Sequence, residues 1–323
     1  MKHVFVFDPN SFTDREWMMD GMIDRLGQFF KTAPEHEHVI HLSRYRRNAI
    51  SLIQQEVDKS DADAENIMRV YAIGGEEILF DCINAVVHWP GMEIVSVPYG
   101  EFYDFIRIFG QDKFESFRDI HTLVTNAAVL PTDLIKWDVN YALNSCYIGL
   151  KAEVDYKRKL SDQELGRKGR GFIAKVSSFF SYVSAALNKE IATQEYTITI
   201  DGKDFSGNYS LIHIANGPYL SGKRAGSYDV TPDDGLLDVT LVKSASMVST
   251  IISIGMHSRG KRIKNGLYLR AKEISIQSSR ELCIHVDSEY FRDTGVNINA
   301  VNHAVQMAVP DKLKYPSTSA SAH

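Results

Sequence analysis

Only three cysteines, Cys82, Cys146 and Cys283, occur in these 323 residues, far apart and each inside an apolar run. Such spacing argues against a disulfide framework or a cysteine-ligated metal and fits buried, reduced thiols in a reducing cytosol. An excess of positive charge is missing too. The formal net charge is −5 and the pI about 6.1, which argues against a nucleic-acid binder. No apolar stretch is long enough to span a bilayer, and Lys2 leads directly into the strand-like VFVF of residues 4–7, without a signal-like segment. A cytoplasmic protein is expected, soluble or peripheral at a membrane. There is no internal repeat, no catalytic-triad spacing, no HExxH or CxxC pattern, and no GxGxxG of a dinucleotide-binding oxidoreductase.

What is present centres on residues 68–87, MRVYAIGGEEILFDCINAVV. Met68 to Ile73 reads as a buried strand, Gly74 and Gly75 break it, and Leu79, Ile83, Val86 and Val87 recur at helical spacing. A strand–Gly–Gly–helix turn lets backbone approach a ligand, and the helix start favours an anion. Glu76 and Glu77 follow the glycines, however, and two carboxylates there oppose phosphate.

Around this unit strands and helices alternate. VFVF opens the chain, the turn Asp8-Pro9-Asn10-Ser11 follows, and Thr13 with Glu16 suggests a capping box for a helix bearing Trp17, Ile23, Leu26 and Phe30. Strands at 38–43 and 93–98 and helices to about Asp58, over 101–109 and from Phe114 to Leu123 complete a helix-flanked parallel sheet ending near residue 130. Ligands of such sheets bind beyond the strand C-termini, so the turns at 8–11, 74–75 and 98–100 should share one crevice.

From Pro131 the pattern becomes short and alternating, as in LIKWDVNYAL and YTITIDGKDF, which predicts a β-rich second domain over 131–295. The segment 296–312 is expected to return to the first domain and 313–323 to be a disordered tail. One helix interrupts the β-region, with Phe172, Ile173, Val176, Phe179, Phe180, Val183 and Leu187 on a stripe behind Arg167, Lys168 and Arg170. Such a stripe more often packs on a sheet than docks on a membrane, and the run Arg259, Lys261, Arg262 and Lys264 more often marks a solvated loop. Both could still face an anionic membrane.

Taken in order, these landmarks resemble the diacylglycerol kinase catalytic family, which includes sphingosine kinases and bacterial soluble diacylglycerol kinases. The family's GGDGT loop, with its following Glu and Asn, matches GGEEILFDCIN at 74–84, and its PxGTxNDFAR loop matches PYGEFYDFIRIFG at 98–110. Asp133 in PTDLIKW, Asn216-Gly217, DDGLLD at 233–238 and Asp287-Ser288-Glu289 in place of DGE continue the match.

The resemblance implies an NAD kinase/diacylglycerol kinase-like α/β domain, a C-terminal β-sandwich-type domain and an active site in the cleft between them. ATP with Mg²⁺ would phosphorylate a hydroxyl of a lipid alcohol. Carried over by position, Asp287 would be the base, Glu289 would lie near metal or nucleotide, and Asp104 would join the same acidic network; in some relatives the base sits where Glu76 stands here. Pro9, Asn10, Ser11, Gly74, Gly75, Glu76, Pro98 and Gly100 would line the nucleotide, Asp133 the lipid head group, and Asp233 with Asp234 a structural Mg²⁺.

Departures collect where the family binds ATP. Asp8 replaces Asn, Phe12 a small residue, Glu77 and Ile78 replace Gly and Thr, Glu101 replaces Thr, Tyr103 replaces Asn and Ser288 replaces Gly. Asp8, Glu77 and Glu101 add like charge to a site for a triphosphate, so the alternative to a working kinase is a catalytically degenerate relative that binds a lipid or a protein. A homodimer through an exposed strand edge is left open.

Overall fold

The computed structural model describes residues 1–60, 66–100, 103–165, 194–220, 222–225 and 230–316. The stripe at 172–187, the basic cluster at 167–170 and Glu101 lie outside the described residues.

Four strands, β1 (Lys2–Phe7), β2 (Glu37–Leu42), β3 (Met68–Gly74) and β4 (Met92–Pro98), lie parallel in the order β2-β1-β3-β4. Every residue of β3 and β4 is buried, as expected for strands covered on both faces. Alternate side chains build the two layers. Phe5, Phe7, Tyr71 and Val97 meet Met22, Leu26 and Phe30 of α1 (Glu16–Thr32) and Leu123 of α5 (Ile120–Thr125). Val4, Val6, Val70 and Ala72 meet Ile53 of α2 (Asn48–Asp58) and Leu79, Cys82 and Ile83 of α3 (Glu76–Val86).

The expected capping box does not form. Arg15 occupies the N-cap of α1 without a side-chain cap bond, and Thr13 instead ends a 3-10 turn, Pro9–Phe12, that Asp8 caps. Trp17 is not on the buried stripe either, being 73% exposed. Where a single helix was expected over 101–109, only the one-turn α4 (Asp104–Arg107) forms.

The second half contributes β5 (Ala127–Trp137), β6 (Asn140–Ala142), β7 (Ser145–Gly149), α6 (Leu150–Leu165), β8 (Glu195–Ile200), β9 (Lys203–Asp204), β10 (Gly207–Ala215), β11 (Tyr219–Leu220), β12 (Lys223–Arg224), β13 (Leu237–Lys243), α7 (Met247–His257), β14 (Gly266–Ala271), β15 (Glu273–Val286) and β16 (Glu289–Pro310). Its strands enclose a core of Ile135, Trp137, Ile148, Ile198, Ile212, Val239, Ile276, Ile284 and Ile298. Sequence periodicity missed α6, whose polar KAEVDYKRKL lacks an apolar stripe, and α7, whose apolar run reads equally well as a strand.

The halves share one sheet. β16 runs for 22 residues, antiparallel to β15 and β5, and Gln306 and Met307 pair in parallel with Glu93 and Ile94 of β4. Residues 313–316 do not belong to a disordered tail, because apolar burial holds them. Leu313 and Tyr315 pack on the first-domain core, and the Tyr315 and Thr132 hydroxyls are hydrogen-bonded at 2.6 Å. Residues 317–323 lie outside the described residues. Among the described residues no helix is long and apolar enough to cross a membrane.

Candidate active site

The three turns expected to share a crevice do meet, and they meet in direct contact. A Cβ placed on Gly100 would lie 2.5 Å from the Gly75 Cα, and one on Gly74 2.9 Å from the Asp8 Cβ. Gly74 also has φ +156, at the edge of the region that favours glycine. Gly100 is therefore required for backbone to approach the Gly75 backbone, and Gly74 for the Asp8 and Ile78 side chains to pack against its turn, whatever ligand binds. Asp8 is occupied within its own turn, accepting from the Asn10 N–H at 3.0 Å and the Ser11 hydroxyl at 2.6 Å. Tyr103 donates its hydroxyl to the Gly100 carbonyl, which locks the third turn.

Three acidic residues converge beside these turns. Glu76, the first residue of α3, accepts the Asp104 backbone N–H at 2.9 Å. Asp104, 5% exposed at the start of α4, accepts the Gly222 N–H at 2.6 Å. Asp287 reaches the same place from the second half. Desolvation, then the Asp104 and Asp287 carboxylates, holds the Glu76 carboxyl well above the usual range. Desolvation likewise pushes Asp287 up to about 6, against three backbone N–H bonds that favour its charged form.

Asp287 is not inside a strand as its apolar context suggested. It occupies the two-residue turn between β15 and β16, with φ 47, a left-handed conformation that aspartate tolerates better than most residues. Its carboxylate accepts the N–H groups of Leu143 at 2.7 Å, Asn144 at 3.0 Å and Ser145 at 2.8 Å. It thereby fixes the loop between β6 and β7, a bond set that no sequence signal foretold.

The other residues singled out lie apart from this cluster. Glu289 turns away from Asp287 to pair with Arg46, and Arg47 lies 3.9 Å from it. Both arginines and Glu289 line a cavity of about 510 Å³ with Trp137, Tyr290 and Phe291. The arginines went unnoticed in the sequence because RYRRN resembles any solvated loop. Asp133 is fully buried and faces no opening: its carboxylate accepts the Gly235 N–H at 2.6 Å and the His303 N–H at 2.7 Å, tying the DDG turn to the bulge in β16. Asp234 pairs with Arg270 and accepts the Leu236 N–H at 3.0 Å. Asp233 has its pKa raised, first by desolvation and then by its acidic neighbours.

The bound groups that the resemblance implies can be compared with these donors. Among the described residues no three His, Cys, Asp or Glu side chains are arranged to hold a metal ion. Asp234 is neutralised by Arg270 and Glu289 by Arg46, so neither expected Mg²⁺ position is built. The glycine turns pack closely on the side a Cβ would take, and Arg46, a donor suited to phosphate, already holds a carboxylate. As they stand, these residues fit neither a preformed divalent site nor a preformed triphosphate cradle.

The second half is the most distinctive part of the chain. Residues 173–309 match the family model of the YegS C-terminal NAD kinase beta sandwich-like domain. Over 279 residues, 85% of this chain and 87% of the other, the sequence is 26% identical to a protein of Staphylococcus aureus (strain Newman) named "Putative lipid kinase", and to one of that name in strain Mu3. This chain is similar to proteins named putative lipid kinases. Solved structures agree on the fold. A structure described as that of "a putative diacylglycerol kinase" from Bacillus anthracis str. Sterne superposes with a TM-score of 0.71 at 23% identity, over 97% of this chain and 96% of that one. A second, of "a diacylglycerol kinases" from the same organism, gives 0.65 at 19% identity over 97% and 98%.

Proposed function

We propose that this protein is an ATP-dependent lipid kinase of the diacylglycerol kinase type, transferring a phosphoryl group to the hydroxyl of a lipid alcohol, with Glu76 as the general base. The observation that carries the reading is the convergence of Glu76, Asp104 and Asp287. A carboxyl whose pKa burial and neighbouring carboxylates raise well above the usual range, held by the Asp104 N–H beside the glycine turns, is suited to accept a proton from an alcohol. Asp104 fixes Glu76 through its backbone N–H, and Asp287 shapes the β6–β7 loop. The names of the relatives supply the substrate class.

Neutralising the transferred charge is the task usually given to Mg²⁺ in phosphoryl transfer. Here Arg46, a cation that could serve phosphate, is held by Glu289. A second reading, a degenerate kinase that binds lipid without turnover, is favoured by the closely packed glycine turns and by that same ion pair. Phosphorylation of short-chain, water-soluble lipid alcohols with ATP, as Mg²⁺ or Mn²⁺ complexes, separates the two. Label transfer supports the kinase, whereas no transfer and no calorimetric binding up to millimolar ATP supports the degenerate reading.

Glu77 offers a smaller, separate test. Its side chain is 77% exposed and 3.7 Å from Lys159, so Glu77→Gly should shift stability by no more than about 1 kcal/mol, mostly through glycine's helix penalty. If phosphate docks at the start of α3, removing this like charge tightens ATP several-fold, equivalent to about 1 kcal/mol. An unchanged dissociation constant by calorimetry would place the phosphates elsewhere.

A further inference from the structure

Helix α7 carries aliphatic side chains on two sides. Its inward side packs Ile251 and Ile254 on the core together with Thr250 at 7%, Ser253 at 5% and His257 at 0% exposure. His257 meets His213 of β10 ring to ring, Nε2 to Nδ1, at 2.9 Å. One turn apart on the outward side, Val248 is 63% and Ile252 55% exposed. The outward pair is surplus to that packing, since a helix lying on a sheet normally keeps polar residues on its solvent side.

Charge surrounds this face with one sign. Between Asp238 and Glu273 the chain has no acidic residue, although the whole protein carries −5. Directly after α7 come Arg259, Lys261, Arg262 and Lys264, all exposed, and among the described residues neither Lys261 nor Lys264 has an ion-pair partner. The β11–β12 hairpin lies against Gly260 and adds the exposed Lys223 and Arg224.

We infer that α7 and the 259–264 loop form a docking surface for an anionic lipid bilayer, with Val248 and Ile252 entering the acyl boundary and the lysines and arginines held at the phosphates. Charge selects this occupant. A basic ring around a small aliphatic face matches a headgroup layer, which supplies diffuse negative charge and an apolar interior in one partner. The inference rests on this surface and not on the catalytic reading.

Sedimentation of the full chain with vesicles tests it. Equal parts phosphatidylglycerol and phosphatidylcholine should bind the protein, pure phosphatidylcholine should bind it far less, and 0.5 M salt should release it. Lys261→Glu with Lys264→Glu should lower the partition coefficient at least roughly twentyfold, at about fivefold per basic residue lost. Ile252→Ser should lower it about tenfold. Because these positions are exposed, the melting temperatures should match the wild type, and turnover of a water-soluble substrate, if present, should persist. Failure to bind the anionic vesicles, or binding that neither variant weakens, overturns the inference. So does a dimer in light scattering that Ile252→Ser dissolves, because a second copy would then cover this face. Loss of kinase activity alone would leave the surface assignment standing.

Discussion

Asp287→Asn is expected to unfold at a markedly lower urea concentration than the wild type, with about 2–4 kcal/mol lost at pH 7. The carboxylate accepts three backbone N–H groups, and an asparagine presents one acceptor oxygen and one NH₂ to the same donors. A donor would face a donor, and at least one enclosed N–H would lose its partner. Equilibrium denaturation decides the matter, since equal midpoints would show that the β6–β7 loop does not depend on this residue. Asp287→Asn should also lose activity without having been the base, so its turnover alone identifies nothing.

Glu76→Gln is the more informative substitution and should separate stability from chemistry. The glutamine Oε1 can still accept the Asp104 N–H, so the fold is retained while the proton acceptor is lost. Turnover should fall at least 10²-fold, the usual contribution of a general base. Stability should change with the opposite sign at neutral pH. Glu76 and Asp287 have folded-state pKa values above their unfolded values, so the stability that comes from keeping them protonated is complete below about pH 4 and lost as pH rises through the folded values, about 6 for Asp287. Removing one member of the cluster flattens that loss. The wild type should therefore lose melting temperature more steeply than the variant as pH rises above the usual carboxylate range, and kcat/KM should rise with the same titration as the cluster gives up its proton. Parallel melting curves, or retained turnover, would remove Glu76 from the role.

The first-half architecture was legible because its strands are apolar along their whole length and its helices carry one clear stripe, signals that survive without tertiary context. The meeting of the turns followed from topology. The roles of individual carboxylates did not. Asp133, Asp234, Asp287 and Glu289 stand in matching motifs, yet what each does depends on partners 36 to 243 residues away: Gly235 and His303, Arg270, the 143–145 backbone, and Arg46. A motif records which residue is present and not which hydrogen-bond donors the fold delivers to it. Glycine was misleading in a related way. Gly74 and Gly100 suggested room for a phosphate, whereas a side chain at Gly74 would meet those of Asp8, Ile78 and Ser11 and one at Gly100 the backbone of Gly75. Helix α7 was missed because its short apolar run, MVSTIISIGMH, reads equally well as a strand.

Strand β16 places a constraint on how this chain is made. Both halves of the sheet need it, and it begins at Glu289, far along the chain from Pro98 at the end of β4, so β4 and β5 have no partner along that edge until Glu289–Pro310 has been made. A nascent chain that has not yet reached β16 would expose a bare, apolar strand edge, a hazard for aggregation. The sheet thus closes only once β16 is in place, and a chain truncated before residue 289 would lack the seam that joins its two halves.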